Sequence, residues 1–378
     1  MYVKSIRLIN FRNYNNLRIK LNKKLNIFLG NNAQGKTNLL ESINISSLGK
    51  SFRTNKDKEL INIDKNEAYI GLEVEKKDFN KLIEIKLEKN KGKRVKINRV
   101  ELEKISEMIG VLNVVIFSPE DLKIIKFGPG ERRNFLDTEI SQLKPMYRYN
   151  IGKYNKILYQ RNNLLKNIQF DKNKIKLIDV WDEQLTNIGS NIIINRLSFL
   201  ENISSISKKI HKNITGGLEN LNLNYLNSFP IKDIIDSENN MKSLKNDIKN
   251  RFLDILKKNL NKDIEKGTTQ IGPHRDDIEI LINKKDARIF GSQGQQRTAA
   301  LSLKLAEVEL INNEIGEYPV LLLDDVLSEL DVNRRKFLIS TFKDIQTIIT
   351  STDDIDLTEI KDLNKSIFCI EKGIVKKA

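Results

Sequence analysis

Two short stretches, far apart in the chain, restrict what it can fold into. Gly30-Asn31-Asn32-Ala33-Gln34-Gly35-Lys36-Thr37 fits the pattern G-x-x-x-x-G-K-[ST]. It lies between an apolar run, Leu25 to Leu29, and a segment from Thr37 to Asn44 with Leu39, Leu40 and Ile43 on one helical face. Strand, glycine-bounded loop, helix is the order that cradles a phosphate, because the loop's N–H groups and the helix N-terminus then face the anion. Lys36 is expected to neutralise the β and γ oxygens of ATP, and the Thr37 hydroxyl to ligate Mg²⁺. The second stretch is Pro319-Val320-Leu321-Leu322-Leu323-Asp324-Asp325, a buried-strand pattern that ends in two acids. Asp324 is the candidate for the metal side, and Asp325 for orienting or deprotonating an attacking water.

Lys36 and Asp324 lie 288 positions apart, far more than a small kinase or GTPase core needs. An insertion is therefore expected, with residues 1–117 and 266–378 forming one ATPase domain around a helical domain at 118–265. The fold class is α/β: a P-loop ATPase domain split in sequence, resembling the ATP-binding-cassette and chromosome-maintenance ATPases, with an inserted, mostly α-helical domain. Local periodicities agree. Ile70, Leu72 and Val74, then Ile83, Ile85 and Leu87, alternate as in antiparallel hairpins. Beyond Pro119 the period becomes helical, as in Tyr147, Ile151, Tyr154 and Leu158, or Trp181, Leu185, Ile188 and Ile192. The Asn- and Lys-rich stretches 213–224 and 234–249 read as loops or solvated helix faces. Strands are expected at Ile278–Ile282 and Ala287–Phe290, and a helix from about Gln293 to Ile311.

Gly291-Ser292-Gln293-Gly294-Gln295-Gln296-Arg297 resembles the cassette signature, in which a serine and a glycine at a helix N-terminus face the γ-phosphate held by a second subunit. Ser328-Glu329-Leu330-Asp331 resembles the short interface loop after the second acid.

Composition adds little. Lys and Arg total 65 against 50 Asp and Glu, a net charge of +15, which leans toward a polyanionic partner. The single cysteine, Cys369, excludes a disulfide framework and reads as a small buried hydrophobe near the last strand. Two histidines, His211 and His274, are too few for a metal cluster and read as structural or surface residues. Apolar runs such as Val114–Phe117 are far short of the roughly 18 residues that span a bilayer, and no apolar leader is apparent, so a cytoplasmic protein without membrane contact is expected.

Eight blocks, in order, resemble the bacterial RecF recombination-mediator family: Leu8 to Tyr14, Gly30 to Glu41, Ser51 to Thr54, Phe117 to Leu122, Arg132 to Asp137, Gly272 to Asp277, Gly291 to Thr298 and Leu322 to Asp331. The Ser-Gln-Gly-Gln-Gln-Arg and Gly-Pro-His-Arg-Asp-Asp blocks are the most diagnostic. The resemblance implies an ATP-dependent homodimer that binds single-stranded/double-stranded DNA junctions and gaps. It further implies action with RecO and RecR, indirect help to RecA in replacing single-strand binding protein, and support of SOS induction. On the same basis Gly30, Asn31, Asn32, Ala33, Gln34, Gly35, Lys36, Thr37 and Asn38 bind the nucleotide from one side, and Ser292, Gly294 and Gln295 from the partner's.

Departures from the wider cassette pattern matter. Ser118-Pro119-Glu120 stands where the γ-phosphate-sensing glutamine is expected, Thr350-Ser351-Thr352 where the switch histidine is expected, and Asp325 replaces glutamate as base. Slow hydrolysis, with ATP as a dimerisation switch, follows as an expectation. The competing readings are a transporter's ATPase subunit, which would carry the switch histidine and a smaller insert, and a P-loop kinase, for which no substrate motif is present. Arg12, Arg53, Arg132, Arg133 and Arg275 could equally touch DNA, hold nucleotide or form internal ion pairs.

Overall fold

Alternating apolar residues set the first elements of the computed structural model, which describes residues 1–77, 79–237, 241–341, 344–352 and 364–378. The strands β1 (Tyr2–Phe11) and β2 (Tyr14–Lys20) form a hairpin, followed by β3 (Leu25–Leu29) and helix α1 (Lys36–Leu48). A run of antiparallel strands comes next: β4 (Glu67–Glu75), β5 (Asn80–Glu88), β6 (Gly92–Ile97) and β7 (Val100–Glu101), then β8 (Val114–Phe117). Helices α2 (Leu122–Lys126), α3 (Pro129–Leu143), α4 (Pro145–Ile168) and α5 (Ile178–Ile214) follow. Then come β9 (Leu221–Leu226), α6 (Lys232–Ser237), α7 (Met241–Lys258), α8 (Leu260–Lys266), β10 (Asp277–Ile282), β11 (Lys285–Asp286) and α9 (Ala287–Phe290). The chain closes with α10 (Gln293–Ile315), β12 (Val320–Asp324), α11 (Val332–Ser340), β13 (Thr347–Ser351), β14 (Lys365–Glu371) and β15 (Ile374–Lys377).

These elements divide into two units. The first comprises residues 1–122, 206–219 and 293–378. One of its sheets is antiparallel, in the order β2-β1-β4-β5-β6-β7. The other runs β15-β14-β3-β13-β12-β8, parallel except for the edge strand β15. Leu321, Leu322 and Leu323 are fully buried, as a parallel strand covered on both faces requires. Phe28 stacks on Phe368 at 4.7 Å between ring centroids.

The second unit, 123–205 and 220–292, is mainly helical, with a small antiparallel sheet β11-β10-β9. Buried arginines tie it together. Arg161, with no exposed surface, donates to Asp182 at 2.6 Å and Asp263 at 2.7 Å. Arg196 binds Asp137 at 2.9 Å and the carbonyl of Pro273 at 2.6 Å. Arg132 makes a two-pronged pair with Asp277, at 2.6 and 2.8 Å.

Four sequence expectations are corrected. The boundary expected at 265/266 falls at 292/293, because β10 pairs along its whole length with β9 and Asp277 pairs with Arg132. The stretch 213–224 contains the start of β9, where Leu221 and Leu223 are buried. In 234–249 the described residues are helical, one of the two expected alternatives, and α7 buries Ile248 on one face; residues 238–240 lie outside those described. Ala287–Phe290 is a helical turn rather than a strand, since the Asp286 carboxylate accepts from the N–H groups of Arg288 and Ile289. Cys369 is exposed, because its neighbours Phe368 and Ile370 take the inward face of β14. Among the described residues no helix is long and apolar enough to cross a membrane.

Candidate nucleotide site

β3, β13 and β12 lie side by side and parallel, so the loop after β3 and the acids at the end of β12 meet at one edge of the sheet. Gly30 opens the loop where β14 passes so close that an added Cβ would collide with the carbonyl oxygen of Ile370. Gly35 closes it as the N-cap of α1, with φ of 115°. Asn31, Asn32 and Ala33 are exposed and Gln34 is half-buried. The Lys36 ammonium, almost wholly buried, donates to the carbonyls of Gly30 at 2.6 Å and Asn31 at 3.2 Å, which fixes its charge inside the loop.

The loop is braced from two sides. Asn13, in the turn between β1 and β2, donates to Gln34 O at 2.8 Å and accepts from Asn38 at 2.9 Å. In the turn between β14 and β15, the backbone N–H of Lys372 donates to Gln34 Oε1 at 2.6 Å and that of Gly373 to Gln34 O at 3.2 Å. Arg12 forms a two-pronged pair with the buried Glu41 at 2.9 and 2.8 Å, and Arg53 donates to Asn38 at 2.7 Å. Both arginines therefore buttress α1 from within the unit.

Thr37 and Asp324, 287 positions apart, are joined directly: Thr37 Oγ1 donates to Asp324 Oδ1 at 2.9 Å. Thr350 Oγ1 donates to the same oxygen, also at 2.9 Å. Burial pushes the Asp324 carboxyl above its ordinary range and the neighbouring Asp325 adds to this, while the two hydroxyls oppose it. A hydroxyl and a carboxylate held together at a phosphate loop form the hard-oxygen set that suits Mg²⁺. Asp325 adopts the left-handed conformation, φ 58°, and its N–H donates to both Thr350 O and Thr350 Oγ1 at 3.2 Å. Its buried Oδ1 has no hydrogen-bond partner among the described residues. A carboxylate oxygen left in this way, next to Asp324, is chemically available to a water or ion.

Thr350, in the position where a switch histidine is expected, lies in the acid cluster. Its place follows from β13 lying between β3 and β12, an order that no local pattern announces. Ser118 follows β8, which pairs with β12 through Phe117 and Leu323. Its backbone N–H donates to Asp121 Oδ2 at 2.6 Å, so Ser118-Pro119-Glu120 is a capped turn.

The signature residues form a separate cluster. Ser292 is exposed just before α10, and Gly294 and Gln295 lie in its first turn. Gln295 donates to Glu219 Oε1 at 2.9 Å, and Arg334 donates to Gly294 O at 3.3 Å. Arg133 and Arg275 also serve the second unit internally, Arg133 through Asp276 O at 2.8 Å and Arg275 through Thr269 O at 3.2 Å. His274 is structural: its Nε2 donates to Thr269 O at 3.1 Å, so Nδ1 accepts from Tyr154 Oη at 2.8 Å.

Among known proteins, residues 2–376 match the RecF/RecN/SMC N terminal domain family. A DNA replication and repair protein RecF of Clostridium botulinum (strain ATCC 19397 / Type A) is 50% identical over 379 residues, covering 100% of both chains. This chain belongs to the RecF family. A RecF of Clostridium novyi (strain NT) is 49% identical, again over 100% of both chains. A solved structure of the recombination mediator protein RecF with ATP, described as of the RecFOR pathway, is 40% identical, with TM-score 0.91 over 100% of this chain and 97% of that one. An Smc head bound to the C-winged helix domain of ScpA is 16% identical with TM-score 0.56, over 100% of this chain and 97% of that one, and shares the fold alone. This chain is thus an ABC-type ATPase domain split in sequence by a mostly helical insert.

Proposed function

We propose that this RecF-family chain is an ATP-switched DNA-binding factor of replication and recombinational repair. The observation that supports the reading is the 2.9 Å contact between Thr37 and Asp324, which brings together the two distant stretches from which the proposed nucleotide site would be built. The RecF structure solved with ATP supports the same ligand. Lys36 and the loop N–H groups hold the β- and γ-phosphates. Thr37 and Asp324 would hold Mg²⁺, which would supply charge neutralisation to the phosphates. Asp325 orients the water, on a shorter arm than glutamate provides, so that hydrolysis is slow and times the closed state.

Two copies close on ATP, with Ser292, Gly294 and Gln295 of each capping the other's γ-phosphate. The closed pair engages gapped or junction DNA in the cytoplasm, acts with RecO and RecR, and through them helps RecA replace single-strand binding protein and supports SOS induction. The RecFOR description of the related structure, the RecF names of the relatives and the net charge of +15 support this reading.

Filter binding to gapped duplex, with and without Mg-ATP across a salt series, tests it. Wild type is expected to bind at least about tenfold tighter with ATP, with a steep salt slope from counter-ion release, and Lys36→Ala to lose the ATP effect. Equal binding with and without ATP would overturn it.

A further inference from the structure

The insert re-enters the ATPase unit before the signature, and the point of re-entry grips the signature helix. The last turns of α5 and the segment after it, Ile206 to Glu219, belong to the first unit. His211 there is fully buried, with Nδ1 3.1 Å from Ser302 Oγ on α10 and Nε2 3.1 Å from Glu219 Oε2. The other oxygen of Glu219, Oε1, accepts from Gln295 Nε2 at 2.9 Å. Ser302 lies about two turns beyond Gln295 on α10. The segment therefore holds α10 at its first turn and again further along.

The chemistry of the groups makes this directional. A carboxylate only accepts, so His211 Nε2 must carry the proton that faces Glu219, and the Gln295 amide must turn its NH₂ toward Glu219 and its oxygen away. Glu219 thus fixes the orientation of the amide three residues after Ser292. Arg334 holds the same turn from the other side: it donates to Gly294 O at 3.3 Å and also pairs with Asp331, in the loop that follows the acid strand.

We propose that Glu219, held by His211, is the positioning residue of the signature turn, setting Ser292 to Gln295 in place before a second copy arrives. Binding is tighter when the contacting groups are ordered beforehand. The role of that turn rests on the function proposed above, but the positioning itself can be read without nucleotide.

The experiment compares full-length wild type with Glu219→Ala, Glu219→Gln and Gln295→Ala. In nucleotide-free protein, amide hydrogen exchange over 293–297 should rise about tenfold in Glu219→Ala and Gln295→Ala, the loss of roughly one hydrogen bond's restraint. Glu219→Gln, which keeps an oxygen for Gln295, should stay within about twofold of wild type. The P-loop's affinity for a fluorescent ATP analogue should be unchanged in Glu219→Ala, while its ATP-driven dimer should weaken by about tenfold. Unchanged exchange at 293–297 in Glu219→Ala would overturn the proposal, as would equal damage from Glu219→Gln. If Glu219→Ala does not fold, Gln295→Ala decides: normal exchange in that variant overturns the inference. If wild type itself does not dimerise with ATP, the reading of the signature fails, while the exchange comparison still decides the positioning role.

Discussion

The ATPase edge and the helical unit both bury carboxylates, but they treat the charge in opposite ways. In the helical unit Asp182 and Asp263 each face the guanidinium of Arg161, and Asp137 faces that of Arg196. At the end of β12, Asp324 accepts from two hydroxyls instead of a guanidinium; Asp325 Oδ1 and Asp182 Oδ2 both lack a hydrogen-bond partner among the described residues, but the other oxygen of Asp182 is held by Arg161. The first arrangement neutralises charge within the chain and so builds structure. The second leaves negative charge where a cation and a water can use it, at a cost in stability.

That contrast can be broken by mutation. The largest effect is expected from Arg161→Met, which strands two buried carboxylates and should lower the unfolding free energy by about 3–5 kcal/mol in urea titrations. A loss under 1 kcal/mol would show that the helical unit does not depend on its internal pairs.

Next comes pH. Burial lowers the His274 pKa from 6.5 to about 4, so the neutral ring is the folded form. Between those values the unfolded chain binds the proton and the native chain does not. Stability is therefore fully present above pH 6.5 and falls as pH drops toward about 4, by roughly 2–3 kcal/mol. His274→Asn should flatten that part of a stability-versus-pH curve.

Asp325→Asn sharpens the comparison from the other side. Single-turnover ATP hydrolysis should fall by about a hundredfold, while thermal stability should hold or rise by up to about 1 kcal/mol as repulsion with Asp324 is relieved. A destabilised variant would place Asp325 with the structural carboxylates instead. Smallest is Gly373→Ala: at φ 78°, a Cβ there would meet Asn13 O and displace the turn that braces Gln34. ATP affinity should drop by about threefold, measured by equilibrium titration.

Legibility followed the same divide. The strand before Gly30, the helix after Gly35 and the strand ending at Asp324 were readable because a glycine-bounded loop between apolar runs and a continuous apolar run closed by two acids are local patterns. The hairpins of the first sheet were readable from strict alternation. β9 was not, because Leu-Asn-Leu-Asn-Tyr-Leu sits in an Asn-rich stretch and gains its strand character from pairing with β10, over 50 residues away in sequence. The helical turn at Ala287 depends on one capping carboxylate, Asp286, which outweighs the local apolar pattern. The second boundary was misplaced because the Arg132–Asp277 pair joins residues 145 apart, a contact that no local pattern announces. Thr350 entered the site through parallel pairing of β13 with both β3 and β12.

In the proposed cycle, ATP brings two copies together through the signature turn. Sedimentation velocity of wild type and Ser292→Ala, each with and without Mg-ATP, tests this most directly. Wild type is predicted to pass from monomer to dimer on adding Mg-ATP, and Ser292→Ala to bind nucleotide yet stay monomeric. Equal dimer in wild type with and without ATP, or full ATP-driven dimer in Ser292→Ala, would contradict it.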